Sequence, residues 1–128
     1  MTQPARFIQM QDLSGELANL IASAAPGIVS VHSHRSRSSG FAWRPGLIVT
    51  ADEALSEEGE FGVTLPGGES VAAQLVGRDS TTDVALLRVD RSDLQSVSLA
   101  VSSVTAGALA MAVGAEDGVP TAELSSHM

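Results

Sequence analysis

Apolar positions along this chain change period once. From Asp12 to Ala24 they recur at helical spacing, with Leu13, Leu17, Leu20, Ile21 and Ala24 forming one stripe. Asp12 is placed to cap this helix, and Pro26-Gly27 stops it. The stripe predicts a helix lying across the strands beyond it, and residues 1–11 read as a loose lead-in. Beyond Gly27 the pattern is that of short strands. Gly27–His34 is β-branched, Arg35–Ser38 is polar and turn-like, and Gly40–Trp43 and Leu47–Thr50 flank the tight-turn composition Arg44-Pro45-Gly46. Phe61, Val63 and Leu65 alternate, and Pro66-Gly67-Gly68 turns the chain back into Val71–Val76 as a hairpin. Asp83–Val89 and Ala108–Val113 are further strands, separated by the weakly patterned residues 90–104. From Gly114 to Met128 the pattern is lost.

Short strands with turns every 8–12 residues predict an all-β fold, a single six- to seven-stranded antiparallel β-barrel with an N-terminal α-helix. Closure removes the free edges that a lone sheet of this size would present. The domain reading is lead-in 1–11, barrel with leading helix 12–114, and tail 115–128.

Composition narrows the chemistry. With 44% hydrophobic and 17% charged residues, 128 residues describe one globular domain able to bury a core. The formal net charge of −8 argues against nucleic acid and anionic membrane surfaces, which need a positive field. Glu57, Glu58 and Glu60 cluster, and the other acids are scattered. No Cys is present, which excludes disulfides and thiolate chemistry. The amino terminus carries no secretory signal pattern, and the apolar run Leu20–Val31 is broken by Pro26-Gly27 and too short for a bilayer. As written, the chain reads as cytoplasmic, and as periplasmic or secreted if a leader has been removed.

The runs Arg44-Pro45-Gly46-Leu47-Ile48-Val49-Thr50-Ala51-Asp52-Glu53-Ala54-Leu55 and Thr82-Asp83-Val84-Ala85-Leu86-Leu87-Arg88-Val89 carry a resemblance. With Ser38-Ser39-Gly40-Phe41, the Thr64–Gly68 turn and Gly77-Arg78-Asp79, they resemble the first barrel of a trypsin-like serine protease of the HtrA-like kind. The resemblance spans residues 12–114 and implies the trypsin-type barrel. In that family a Thr-Ala step precedes the catalytic histidine, and Asp-Leu/Val-Ala-Leu-Leu supplies the aspartate. Asp83 stands at the aspartate position, and Glu53 stands where the family has histidine.

That exchange matters chemically. The base of a serine protease must sit near neutrality and must be oriented through a second ring nitrogen. A carboxylate is the weaker base and has no such nitrogen. Glu53 beside Asp83 brings two negative charges together, so Glu53 either shares a proton with Asp83 or turns to solvent. The family nucleophile, a serine within Gly-x-Ser-Gly-Gly, occurs nowhere in this chain; Ser38-Ser39-Gly40 matches a first-barrel strand, and Ser102-Ser103 and Ser125-Ser126 lack the flanking glycines.

His32 and His34 share a face if both lie on a strand, but two imidazoles leave a zinc site short of ligands, and an exposed strand end accounts for them. Glu53, Asp83 and Asp52 offer oxygens to a hard cation such as calcium. No metal and no cofactor is assigned. Trp43 is expected to pack at the barrel end, beside Arg44. The resemblance implies a second barrel against Leu109, Met111 and Val113, so the expected partner is a protein or peptide: another copy or a separately encoded second barrel. The expectation is a degenerate, non-catalytic half of the fold that binds protein, and the alternative is a subunit or fragment of an active serine endopeptidase.

Overall fold

The computed structural model describes residues 5–34, 36–56, 60–100 and 102–126. Helix α1 (Ala5–Ala24) runs through a 3-10 turn (Ala25–Gly27) into β1 (Ile28–Ser33). Next come β2 (Ser36–Arg44), β3 (Leu47–Ala51), a 3-10 turn (Asp52–Ala54), β4 (Phe61–Thr64), β5 (Ser70–Asp79) and β6 (Val84–Val89). Strands β7 (Leu109–Glu116) and β8 (Val119–Ser126) complete the order.

Six strands close antiparallel in the order β1-β2-β3-β6-β5-β4, and β7-β8 form a separate two-stranded sheet. Alternation drives this. Along β6, Ala85, Leu87 and Val89 point inward while Arg88 points out. Along β3, Ile48 and Thr50 do the same. Val29, Val31, Ile48, Val63 and Leu87 fill the centre, each at most 1% exposed, so the interior is packed like an organic solid rather than a pore. Thr50 is admitted because its hydroxyl donates to the Ser39 carbonyl at 2.9 Å. Register shifts between Ala42 and Arg44 and between Leu75 and Gly77 add residues to β2 and β5. Such bulges bend strands and help a small sheet to close.

The all-β barrel of the sequence reading stands, with differences at its ends. The helix begins by Ala5, so Asp12 lies mid-helix and is no cap; Gln9, Met10 and Gln11 are adequate helix formers and extend it upstream. Nor is the stripe of α1 wholly covered by the barrel: Leu13 is 44% and Leu20 60% exposed, while Leu20, Ser23 and Ala24 line a cavity together with residues 95–98. Strand β2 starts at Ser36, so the turn expected over Arg35–Ser38 is shorter; Arg35 itself, residues 1–4, Glu57, Glu58 and His127-Met128 lie outside the described residues.

The predicted strand Ala108–Val113 is β7, outside the barrel, and the predicted tail is β8. Asp117 and Gly118 turn the chain between them with φ of 50° and 84°, the two positive values of a type I′ hairpin turn. This Asp-Gly signal outweighs the weak alternation of the flanks. Arg91 joins Asp93 and Glu69 in the connection before the hairpin, and its hydrogen bonds hold the Asp93 carboxyl down to about 2.

Ser39 docks the hairpin on the barrel. Its hydroxyl accepts from the Ala115 amide at 3.0 Å and donates to the Ala115 carbonyl at 3.3 Å. Close approach requires Gly114, where a Cβ would lie 2.6 Å from Ser39 Oγ and 3.2 Å from Thr121 Oγ1. Gly114→Ala is expected to cost about 1–3 kcal/mol, the usual penalty for overpacking. Amide exchange should show protection lost across β7 and kept in β1–β6; unchanged exchange in β7 would contradict the docking role.

Candidate functional site

Asp83 and Glu53 meet where β3 leaves the barrel and β6 enters it. After Ala51 the chain makes one 3-10 turn, Asp52–Ala54, closed by the Leu55 amide donating to the Asp52 carbonyl at 3.1 Å. Leu55 then inserts into the core at 6% exposure. The turn is thus tied down by an apolar anchor at its far end.

Opposite it, Asp79 organises the approach to β6. One of its oxygens accepts from the Thr81 amide at 2.9 Å and the other from the Thr82 hydroxyl at 3.0 Å. These bonds, the Thr81 amide foremost, hold the Asp79 carboxyl below its ordinary value. The next residue, Asp83, has φ of 57°, a left-handed conformation that Asp tolerates better than most residues. It directs both its carbonyl and its carboxylate at the 3-10 turn. The Asp52 amide donates to the Asp83 carbonyl at 3.2 Å, and the Glu53 amide donates to Asp83 Oδ1 at 2.7 Å.

Asp83 is therefore oriented by the backbone of residue 53, whatever side chain that residue carries. The Glu53 side chain belongs to an exposed residue, while Asp83 is half-buried.

Arg78, on β5, holds the turn from outside. Its Nε donates to Asp52 Oδ1, and its terminal nitrogens donate to the carbonyls of Asp52 at 3.1 Å, Leu55 at 3.3 Å and Ser56 at 3.3 Å. Asp52 is 8% exposed, so its charge is matched by the guanidinium rather than by water. Asp52 is thus a structural partner of Arg78 in this site. Sequence reasoning quoted Arg78 only within Gly77-Arg78-Asp79 and gave it no role; the available signal was a basic residue directly after the uncharged stretch from Val71 to Gly77.

Beside Asp83 runs a mainly apolar groove of about 310 Å3, walled by Ile28, Phe41, Val49, Val84 and, across from them on the hairpin, Val113. Its walls come from five strands, β1, β2, β3, β6 and β7.

The remaining candidates separate from this site. His32 is no exposed strand end: it is half-buried, and its Nε2 lies 2.6 Å from the Thr64 hydroxyl, bridging β1 and β4. His34 falls in the turn beyond β1, so the two do not share a strand face. Among the described residues no three His, Asp or Glu side chains gather as a metal site would need. Ser38 lies 3.3 Å from the Thr50 hydroxyl and Ser39 serves the hairpin, so both are engaged in the fold. Trp43 stacks under the Arg44 guanidinium, 4.4 Å from ring centre to Cζ, at the end of β2. No helix among the described residues is long and apolar enough to cross a membrane.

The arrangement supplies a fixed carboxylate and an apolar groove. Acyl transfer needs a near-neutral base and a preorganised set of donors for the oxyanion as well.

Comparison with known proteins agrees with this architecture. A family model described as a trypsin-like peptidase domain matches residues 38–127. The chain is 35% identical over 86 residues to a "Probable periplasmic serine endoprotease DegP-like" of Pseudomonas savastanoi pv. phaseolicola, covering 66% of this chain and 18% of that one. To a protein of the same description from Halomonas elongata it is 34% identical over 92 residues, covering 69% of this chain and 19% of that one. Among solved structures, the Rv3671c protease of M. tuberculosis H37Rv in an inactive form superposes with a TM-score of 0.74 at 23% identity, over 83% of this chain and 52% of that chain. The chain thus spans about a fifth of these curated relatives and about half of the solved protease.

Proposed function

The chain belongs to the trypsin-like peptidase domain family, and on that premise we propose that it is a non-catalytic, protein-binding form of the barrel. The observation that carries this reading is Glu53. Its amide is bonded to Asp83 Oδ1 at 2.7 Å, which supports reading residue 53 as the counterpart of the family's base, and it carries an exposed carboxylate. A carboxylate there does not take a proton from a serine hydroxyl and return it to a leaving amine with useful efficiency.

The binding surface is the groove beside Asp83. Val84 on its rim is 43% exposed, and Leu109 and Leu124 on the neighbouring hairpin are 57% and 51% exposed. An extended segment with apolar side chains is the occupant that suits a shallow apolar groove between strands. The setting we infer is that of the periplasmic relatives.

The test pairs two measurements on the purified chain. It should be unlabelled by a fluorophosphonate and leave casein intact, while binding carboxymethylated casein in a way that Val84→Asp weakens at least about tenfold, roughly what desolvating a charge in an apolar contact costs. Turnover of casein by the chain alone, or binding indifferent to Val84→Asp, would overturn the proposal.

A second reading is supported by coverage. The chain matches 52% of the solved protease, so it also suits one subunit or portion of an endopeptidase whose serine lies on another segment.

A further inference from the structure

Among the described residues, Asp83 is the one charged side chain lining the apolar groove. The other polar side chains on its walls are those of Ser39 and Thr50, and both are engaged inside the fold. The Ser39 hydroxyl exchanges hydrogen bonds with the Ala115 backbone, and the Thr50 hydroxyl donates to the Ser39 carbonyl. Asp83 differs. Among the described residues its carboxylate takes one hydrogen bond, from the Glu53 amide to Oδ1, and pairs with no cation.

Other acids of the barrel find an arginine within the chain. Asp52 meets Arg78, Asp117 meets Arg37, and Asp93 and Glu69 meet Arg91. Asp83 is half-buried, more so than the exposed Glu53 beside it. A carboxylate held against apolar walls loses hydration and gains a single hydrogen bond from the chain in return. Its charge is left for whatever enters the groove to match. No positive side chain on the walls weakens that attraction, and the net charge of −8 adds to it at longer range.

On the groove reading above, on which this inference rests, we propose that the bound segment belongs to another protein and sets an arginine on Asp83. An apolar side chain two residues from that arginine packs against Val49 and Val84. Alternate side chains of an extended segment share one face, so a single face carries both the charge and the apolar contact. At about 310 Å3 the groove holds a few side chains rather than a folded surface. Arginine suits the place better than lysine, because a guanidinium is more weakly hydrated than an ammonium and loses less on leaving water. Oδ1 is engaged by the Glu53 amide, which leaves Oδ2 for the guanidinium. The same amide fixes the carboxylate beforehand, so little ordering remains to be done on binding.

The test titrates the 128-residue chain to about 1 mM, the range expected for a short segment in a shallow groove, against two dye-labelled peptides. One is Ala-Val-Ala-Arg-Ala-Val-Ala; the other carries citrulline, a neutral urea of the same shape, in place of arginine. The arginine peptide should bind at least about tenfold tighter, the scale of a hydrogen bond to a charged group. Asp83→Asn keeps an oxygen to accept the Glu53 amide, and it should cut the preference to about twofold or less, since the charge is gone. Glu53→Gln should leave the preference above about fivefold, because an exposed charge is screened by water and salt. Near-UV circular dichroism of Trp43 serves as the control that the barrel remains folded. A preference that survives Asp83→Asn, or one that Glu53→Gln abolishes, would overturn the proposal. So would binding of neither peptide, or a dimer of this chain that excludes both, and these two outcomes would count against the groove reading as well. Equal binding of the two peptides, with casein binding still weakened by Val84→Asp, would sink the arginine assignment and leave the groove reading standing.

Discussion

Arg78→Ala is expected to lower the unfolding free energy by about 2–4 kcal/mol, near the lower end of the cost of removing one partner from a buried ion pair. Asp52 is 8% exposed and Arg78 is its ion-pair partner in the structure. Deleting the guanidinium strands that carboxylate and also removes the hydrogen bonds from Arg78 to the carbonyls of Asp52, Leu55 and Ser56. The Arg78 side chain is 28% exposed, so water entering from its side relieves part of the loss. For that reason the expectation lies below the cost of breaking a fully buried pair. Arg78→Lys should recover only part, since an ammonium cannot bridge several acceptors in a plane. Urea denaturation measures the change. Amide exchange at Glu53 should accelerate as well, because the turn that presents its amide to Asp83 has lost its outer brace. A change below about 0.5 kcal/mol, the scale of ordinary surface substitutions, would show that the brace is unimportant.

Glu53→His is the substitution with the largest expected effect on activity, and its outcome separates the two functional readings. On the chain alone it should leave hydrolysis at background, because an imidazole beside Asp83 still lacks a glycine-flanked serine and an oxyanion site. If the chain is one portion of an endopeptidase, supplying a segment that carries Gly-x-Ser-Gly-Gly should reveal hydrolysis. Glu53→His should then raise it by about 100- to 10,000-fold, the usual worth of general-base assistance. The pH profile of the rescued activity should rise through the imidazole range, near about 6.5. The Glu53 amide already donates to Asp83 Oδ1 at 2.7 Å, so the backbone needs no rearrangement for the exchange. Cleavage that appears on adding the second segment and is unaffected by Glu53→His would mean that another group serves as base.

Much of the fold was legible from one dimension. The alternation of Ile48 and Thr50, of Phe61 and Val63, and of Ala85, Leu87 and Val89 specifies strands with an inner face, because successive side chains on a strand point to opposite sides. The pairing of residue 53 with Asp83 was legible through the resemblance to a family, not through any periodicity. Other features misled for physical reasons. The apolar stripe of α1 announced a covered face, yet Leu13 and Leu20 are 44% and 60% exposed, because such spacing records an amphipathic helix and not what lies opposite it. His32 looked like a strand-end residue, and a hydroxyl on β4, 32 positions away, decides its surroundings. The hairpin β7-β8 was half missed because Asp117-Gly118, a strong turn signal, sits amid weakly alternating residues.

By itself, then, the sequence determined the strand periods, the closed all-β class, and the carboxylate carried by residue 53, all of them properties of local order or residue identity. Only the tertiary structure decided that Arg78 neutralises Asp52, that Asp83 is held by the backbone of residue 53, that the apolar groove is built from Ile28, Phe41, Val49, Val84 and Val113, and that Leu13 and Leu20 of α1 stay exposed. Those facts depend on barrel closure, which brings together groups that no local pattern of hydrophobicity relates.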